Sequence, residues 1–277
     1  CTTGSVAFDR AAAFYDRTRG FPPGVDREVA RGICRLAGLR PGERLLELGI
    51  GTGRLALPLQ EVGLSVWGID LSRPMLEVLC SKPGGRGIAL VEGHIRALPF
   101  LAAQFDAALA VHVLHLVAPW RDALREAARV LKPSGAFLLG WGGHADPETP
   151  LGKVRERWRA AVVARGGSVD RPGEHDPRRV IAALERLGFL VECEADIARW
   201  TTSTSVAEVL RTIEERVFSD AWSVPEEIHR AALDEVRGWV LESGFDLGRP
   251  LEQTHTLHLA VLRRSDRGAS AATRADR

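Results

Sequence analysis

The sequence is poor in the residues that mark disulfide frameworks and metal centres. Its four cysteines stand at positions 1, 34, 80 and 193 without a C-x-x-C pair, and its histidines do not cluster at the spacing of metal ligands. The pattern predicts neither a disulfide-stabilised fold nor a bound metal. It favours a reducing, cytoplasmic location.

The chain also lacks long stretches of uniform character. No apolar run reaches the roughly 18 residues needed to span a bilayer, and the first residues do not have the pattern of a signal peptide. The formal net charge is +1 without a long basic run, so composition does not favour a nucleic-acid partner. With 277 residues, 45% of them hydrophobic and 26% charged, we expect a water-soluble globular protein with a sizeable core.

The chain is organised around residues 45–53, which read LLELGIGTG. An apolar strand that ends in glycines before a helical pattern is typical of a nucleotide-binding turn, because glycines let a ligand approach the backbone and the helix N-terminus offers free N–H groups. The dinucleotide fingerprint would require glycine at position 54, where Arg54 stands. The spacing is instead E-x-G-x-G-x-G, with Glu47 as its acid, and an ordinary tight turn is the alternative interpretation.

A second strand, residues 64–69, ends at Asp70, which follows Gly49 by 21 residues. The β-α-β-α pattern with short turns implies parallel strands, so Asp70 should lie beside the glycine turn. Its two oxygens suit the 2′ and 3′ hydroxyls of a ribose. The alternative is an Asx turn before the next helix, which Ser72 can cap.

Several segments resemble the class I S-adenosylmethionine (SAM)-dependent methyltransferases, in particular the type 11 and ubiquinone/menaquinone C-methyltransferase-like members. Residues 47–53 and 68–72 are similar to motifs I and II of that family, 105–115 to its motif IV region, and 129–135 (RVLKPSG) to its helix-to-strand connection. The resemblance implies an α/β, Rossmann-like fold: a seven-stranded, mostly parallel sheet with helices on both faces, an antiparallel last strand and a helical lid insertion. Ligands in such sheets bind where the strand order reverses, here between strands one and four.

The expected organisation follows from this resemblance and from the periodicity. Cap helices at residues 1–40, including a leading helix from Val6 to Arg19, precede a SAM-binding core at 41–200 that is interrupted by an excursion at 142–175. A helical lid at 201–250, a last core strand at 251–263 and a disordered tail at 264–277 complete the chain.

The resemblance implies SAM as the cofactor and S-adenosylhomocysteine (SAH) as its product, without a metal. The residues implied to bind the cofactor are Tyr15, Glu47, Gly49, Gly51, Gly53, Asp70, Leu71, Met75, His94, Ile95 and Val111. At position 94 the family often has an aspartate that accepts from the adenine amino group, and His94 or the Ile95 backbone would have to serve instead. Tyr15 has an alternative role as a packing residue of its helix.

Methyl transfer from a sulfonium is an in-line displacement that needs a base only when the acceptor must lose a proton. His112 and His115 follow strand four and are candidate bases, with His144 as a third; a packing role is the alternative for each.

The aromatic residues of the lid, Trp200, Phe218, Trp222 and Trp239, predict a small, largely apolar or aromatic acceptor methylated on oxygen or carbon, rather than a nucleic acid or a protein. They would equally suit packing of the lid onto the sheet. Two other functions stay open: a nicotinamide oxidoreductase, which the missing third glycine disfavours, and a non-catalytic SAM-binding protein, which His94 favours.

Overall fold

The computed structural model describes residues 4–143 and 146–265. The chain divides into two compact units. The first consists of Cys1–Gly142, Pro172–Ala198 and Leu257–Arg277, and the second of Gly143–Arg171 and Arg199–Thr256. Most of the predicted excursion and of the predicted lid therefore fall in one unit. His144 and residues 266–277 of the predicted tail lie outside the described residues.

Seven strands form one sheet in the order β3-β2-β1-β4-β5-β7-β6. They are β1 Arg44–Leu48, β2 Ser65–Asp70, β3 Ala89–Glu92, β4 Phe105–Val111, β5 Leu131–Gly142, β6 Phe189–Thr204 and β7 Leu251–Arg264. Strands β1 to β5 pair in parallel, whereas β7 pairs antiparallel with β5. The sheet confirms the predicted Rossmann-like fold with its antiparallel last strand.

Strand order reverses between β1 and β4, as predicted for the ligand edge. Both strands are almost entirely buried, since helices cover both faces of a parallel sheet and leave no solvent-facing side. Because β1 and β4 are parallel neighbours, their carboxyl ends lie side by side at one edge of the sheet.

The helices are α1 Tyr15–Arg19, α2 Val25–Ala37, α3 Ala56–Glu61, α4 Arg73–Ser81, α5 Trp120–Val130, α6 Pro150–Ala164, α7 Pro177–Glu185, α8 Val206–Glu214 and α9 Glu226–Glu242. Gly38 ends α2 in the left-handed conformation. Ser72 caps α4 by accepting from the N–H of Met75, with Pro74 tolerated in the first turn. In the part of the chain that the structure describes, no helix has both the length and the apolar composition required to cross a bilayer.

The leading segment is not the single helix predicted from Val6 to Arg19. It contains a 3-10 turn at Asp9–Ala11 and the short helix α1. The N–H of Val6 instead donates to the carbonyl of Leu116 at 2.9 Å, and the side chains of Val6 and Phe8 pack against the core of the first unit. Contacts with residues that follow β4 thus override the local helical periodicity.

The second unit has its own apolar core, which α6, α8 and α9 build. Strand β6 extends past the end of the predicted core at residue 200, to Thr204. The extension, residues 201–204, reads TTST, so hydrophobic periodicity gave no sign of it.

Candidate functional site

The turn after β1 holds its glycines in backbone conformations that other residues avoid. Gly49, Gly51 and Gly53 have φ angles of 71°, 54° and 79°, in the left-handed region. The N–H of Gly49 donates to the carbonyl of Ile69 at 2.9 Å, and that of Gly53 to the carbonyl of Ile50 at 3.0 Å. The first bond ties the turn to the end of β2, and the second closes the turn on itself.

The three glycines differ in what lies against them. A Cβ at Gly51 would lie 3.2 Å from the Met75 methyl, and Gly51 lines an open cleft. A Cβ at Gly53 would lie 2.3 Å from a Leu79 methyl, and Gly53 does not line the cleft. Gly53 is therefore required for packing of α4, whereas Gly51 faces the space available to a ligand.

Asp70 links the glycine turn to the helix that follows β2. Its Oδ2 accepts from the N–H of Gly51 at 2.8 Å and its Oδ1 from the N–H of Ser72 at 2.8 Å. Burial raises the pKa of Asp70, against the hydrogen bonds from these amides and from Leu71. A carboxylate has about four acceptor positions, and the three amides use three of them, so one position remains for a ligand hydroxyl. The Asx turn and the ribose site predicted as alternatives are compatible.

Glu47 lies beneath the turn rather than in the cleft. Its side chain is buried, and Oε2 has no hydrogen-bond partner among the described residues. Burial raises its pKa to about 8; the charge of Arg54 lowers it and that of Asp70 raises it further. The carboxyl group is therefore protonated through much of the neutral range and can donate a hydrogen bond.

A cleft opens at the carboxyl edge of β1, β2 and β4, with about 640 Å³ of empty space that includes the part open to solvent. The predicted site residues that line it are Tyr15, Gly49, Gly51, Asp70, Leu71, Met75, His94, Ile95, Val111 and His112. The other lining residues are Ser5, Val6, Phe8, Gly93, Val113, Leu116 and Val117. Glu47, Gly53 and His115 are not among them. All of the lining residues belong to the first unit.

Sequence reasoning did not identify the additional lining residues. Val113, Leu116 and Val117 follow the end of β4 and could have been found as apolar residues at the ligand edge. Ser5, Val6 and Phe8 precede any recognisable motif, and only the path of the chain brings them to the cleft.

His94 lies at the cleft with both ring nitrogens engaged. Nδ1 accepts from the N–H of Arg96 at 3.1 Å, and Nε2 lies 2.9 Å from the Ser5 hydroxyl oxygen and 3.3 Å from Arg96 Nε. Burial lowers the pKa of His94, as does the charge of Arg96. A neutral His94 therefore holds the N-terminal segment against the loop after β3, and its acceptor nitrogen is already used.

His112 lines the cleft with a φ of 53°, in the left-handed region. This conformation is uncommon for a residue with a side chain and is found preferentially at functional sites. His115 does not line the cleft. Its ring stacks on that of His175, with the ring centroids 5.3 Å apart. Of the predicted bases within the described residues, His112 lines the cleft and His115 does not.

A polar cluster fastens α1 to the glycine turn. Asp16 Oδ1 accepts from the Thr52 hydroxyl at 2.6 Å, and Asp16 Oδ2 lies 2.7 Å from Lys82 Nζ. Lys82 Nζ also donates to the Thr52 carbonyl at 2.6 Å. The cluster places Tyr15, the residue before Asp16, on the wall of the cleft.

The aromatic residues predicted for an acceptor pocket have partners within the second unit. Trp200 stacks on His255, Trp239 packs edge-on to Phe245, and Trp222 Nε1 donates to the Arg216 carbonyl. The fourth residue, Phe218, lies under the guanidinium group of Arg155, 3.6 Å from ring centroid to guanidinium carbon.

The residues at the cleft fit a SAM-sized ligand. A left-handed glycine without a side chain faces the space, and the Asp70 carboxylate has an acceptor position left. Leu71, Met75 and Ile95 supply apolar surface for a planar base. The arrangement matches a nucleoside with a polar extension.

Comparison with known proteins relates part of the chain to methyltransferases. Residues 46–139 match the family described as methyltransferase domain. A demethylmenaquinone methyltransferase of Tropheryma whipplei is 35% identical over 136 residues, which are 48% of this chain and 56% of that protein. The chain thus spans little more than half the length of that curated relative.

Two solved structures share the fold. The YcgJ protein of Bacillus subtilis has a TM-score of 0.56 at 21% identity, covering 86% of this chain and 98% of that one. A phosphoethanolamine N-methyltransferase of Haemonchus contortus in complex with SAH has a TM-score of 0.53 at 16% identity, covering 93% and 58%. Residues 46–139 therefore resemble the methyltransferase domain family, and the chain shares the Rossmann-like fold of these solved structures.

Proposed function

We propose that the protein transfers a methyl group from SAM to oxygen or carbon of a small, largely apolar or aromatic metabolite. The observation that supports this most directly is the cleft at the carboxyl edge of β1 and β4, where Gly51 and Asp70 face space for a nucleoside. When bound, SAM supplies a methyl carbon already activated by a sulfonium. The chain needs only to bind and orient SAM and the acceptor and to exclude water. Orientation alone can lower the activation barrier by roughly 7–11 kcal/mol.

In this proposal, Asp70 accepts from the ribose hydroxyls, and Leu71 and Ile95 hold the adenine between apolar surfaces. Because His94 already uses both ring nitrogens, the adenine amino group is left to backbone carbonyls near Ile95. Tyr15, which α1 brings to the cleft, closes the end away from the base.

The acceptor class rests on the apolar side chains of the cleft wall, Val6, Phe8, Leu116 and Val117. Apolar lining with few polar groups favours a small apolar ligand over a peptide or a nucleic acid. The name of the Tropheryma whipplei relative, demethylmenaquinone methyltransferase, agrees with an aromatic, apolar acceptor.

The proposal is tested by calorimetric titration of the protein with SAH and NAD⁺, followed by SAH formation from SAM with a panel of phenols, quinols and amines. We expect binding of SAH and not of NAD⁺, and turnover with a phenol or quinol. Binding of NAD⁺ in preference to SAH would contradict the cofactor, and turnover with amines alone would contradict the acceptor class.

We propose His112 as the base for a hydroxyl acceptor, because it lines the cleft in a strained backbone conformation. His112→Asn retains a residue that tolerates positive φ. Loss of a general base should lower kcat by roughly 10²–10⁴-fold, with SAH affinity unchanged. His115→Asn is the control, and equal losses in the two variants would exclude a specific role for His112.

A second candidate is a SAM-binding protein without methyl transfer, favoured by the replacement of the family's aspartate with His94 and by the engagement of both its nitrogens. SAH binding without turnover across the acceptor panel is the result expected for it.

A further inference from the structure

A histidine side chain is buried in the second unit, against its apolar core. His229, on α9, is 4% exposed, and its ring packs edge-on to that of Trp158 on α6, with the ring centroids 5.7 Å apart. The Trp158 side chain is itself buried among apolar side chains of α6, α8 and α9. Water therefore has little access to the imidazole in the folded protein.

The surroundings of His229 favour a neutral ring. Neither Nδ1 nor Nε2 makes a hydrogen bond of normal length and angle to any of the described residues. Burial of a neutral polar group without such a bond is unfavourable, and burial of a charged group is far more so. A proton added to this ring would therefore destabilise the folded second unit.

The charged groups near His229 do not offset this effect. The Arg216 side chain is only 14% exposed and already pairs with Glu226 at 2.8 Å. Burial lowers the pKa of His229, and the charge of Arg216 lowers it further. The Glu214 backbone and the charges of Glu226 and Glu214 act in the opposite direction, but the balance is a lower pKa. From α6 it is the uncharged Trp158 ring that faces the imidazole.

The position of His229 on its own helix acts in the same direction. His229 is the fourth residue of α9, which begins at Glu226. The N–H groups at the start of a helix give that end a partial positive charge, which disfavours a cation in the first turn. Helix α9 therefore adds to the repulsion from Arg216.

The second unit has another buried histidine among its described residues, His255 on β7. A carbonyl can only accept, so Nδ1 donates to the Gly143 carbonyl at 3.1 Å and Nε2 accepts from the Thr202 hydroxyl at 2.7 Å. Burial lowers the pKa of His255, against the Gly143 backbone. The Thr202 hydroxyl can turn and accept from a protonated Nε2, so a proton is tolerated better here than on His229.

A buried carboxyl group gives the first unit a contribution of opposite sign. Burial raises the pKa of Glu47 to about 8, and a folded state that holds a proton more tightly than the unfolded state gains stability as pH falls. His94, which is only partly buried, acts against this with its lowered pKa. The first unit therefore has a buried group whose protonation favours folding, whereas the buried histidines of the second unit have the reverse effect.

We propose that His229 is an acid-sensitive switch of the second unit: below about pH 6.5, uptake of a proton opens the core of α6, α8 and α9 while the first unit stays folded. The unfolded chain takes up a proton on histidine near this pH, whereas the folded core resists it. The free energy of unfolding of the second unit therefore falls as pH falls through about 6.5. The inference is independent of the proposed methyl transfer.

The test uses the complete chain labelled with ¹⁵N, in urea just below its unfolding midpoint at pH 7.5. It follows the seven tryptophan indole N–H resonances from pH 7.5 to pH 5.5. Those of the second unit belong to Trp158, Trp200, Trp222 and Trp239, and those of the first to Trp67, Trp120 and Trp141. We expect His229 to raise the equilibrium constant for opening of the second unit by up to about tenfold over this range. The resonances of the first unit should keep their native positions.

Three variants assign the effect. His229→Phe keeps an aromatic ring against Trp158 but cannot take up a proton, so it should remove most of the rise. His255→Gln should remove a smaller part. His175→Gln, at an exposed histidine of the first unit, is the control and should leave the rise unchanged. A larger effect of His255→Gln than of His229→Phe would overturn the role of His229, and joint loss of both sets of resonances would contradict a separate response of the second unit.

A second measurement does not depend on the folding of any variant. In the parent chain without urea, the Cε1–H resonance of His229 is identified by its nuclear Overhauser contacts with the Trp158 ring and followed as pH is lowered. We expect its midpoint to lie well below the ordinary value of 6.5. A midpoint at or above 6.5 in the folded protein would overturn the proposal.

Discussion

The carboxyl group of Glu47 is buried away from water, and this burial makes the free energy of unfolding depend on pH. Its pKa is about 8 in the folded chain, against 4.5 for an exposed glutamate. Between these values the folded state holds a proton that the unfolded state has released, so the free energy of unfolding falls as pH rises from about 4.5 to about 8.

Glu47→Gln should remove this dependence, because glutamine stays neutral at every pH. We expect a shallower decline of the free energy of unfolding between pH 5 and pH 8 and a variant at least as stable as the parent at pH 8. Urea unfolding at several pH values measures both, with the exposed Glu185→Gln as control. Parallel pH profiles for the parent and Glu47→Gln would contradict the assignment.

The carboxylate of Asp70 can be tested against a matched aspartate. Asp70→Asn replaces an ionised acceptor in the cleft and should weaken SAH binding by roughly 1.5–3 kcal/mol, about tenfold to a hundredfold. Asp176 accepts from the N–H two residues later at 2.8 Å, as Asp70 does, but does not line the cleft. Calorimetry should show unchanged SAH affinity in Asp176→Asn, and unchanged affinity in Asp70→Asn would remove Asp70 from the site.

Gly51 can likewise be compared with a glycine of similar conformation. Gly38 has a φ of 65° and nothing within 4 Å of an added Cβ, whereas an added Cβ at Gly51 would lie at the cleft and 3.2 Å from Met75. Alanine at either position should cost about 1–2 kcal/mol of stability through its left-handed backbone. Only Gly51→Ala should also lose SAH affinity in calorimetry, and equal SAH affinity in both variants would mean that the cofactor does not approach this turn.

At the scale of the elements, the position of helix α1 depends on a few polar contacts. Asp16 joins it to Thr52 and Lys82, and its side chain is 43% exposed. Asp16→Asn should therefore cost no more than about 1 kcal/mol of stability, yet it loosens the element that carries Tyr15. We expect faster dissociation of SAH in stopped-flow measurements, and slower or unchanged release would refute this role. Glu61→Gln, which removes an exposed ion pair with Arg27, is the control.

The elements also show what sequence can and cannot predict here. The glycine turn, the Asp70 position and the Ser72 cap follow from local chemistry, so they were predictable. The broken leading helix was not, because the Val6 N–H pairs with a residue far along the chain.

Long-range contacts also explain the other differences within the site. That His94 has its nitrogens engaged depends on Ser5, 89 positions away. Gly53 does not line the cleft, because Leu79 packs against it. Neither contact leaves a periodic pattern in the sequence.

For the whole molecule, the sheet relies on its last strand. Strand β7 covers one edge of β5 from Ala136 to Gly142, whose side chains are largely buried. A chain that ends at residue 250 should expose this edge and aggregate, because an uncovered apolar strand pairs with other copies. A chain that ends at residue 265 keeps β7 and should stay monodisperse in size-exclusion chromatography. A monodisperse chain of 250 residues would show that β5 does not need this cover.

Strand β7 follows the other six described strands in the sequence, and this sets an order of events during synthesis on the ribosome. The residues that line the cleft lie between Ser5 and Val117, yet the partner of Ala136 in the sheet is Arg263. The cleft residues are therefore translated long before the strand that completes their sheet. During that interval one edge of β5 is unpaired in the nascent chain and can pair with other chains.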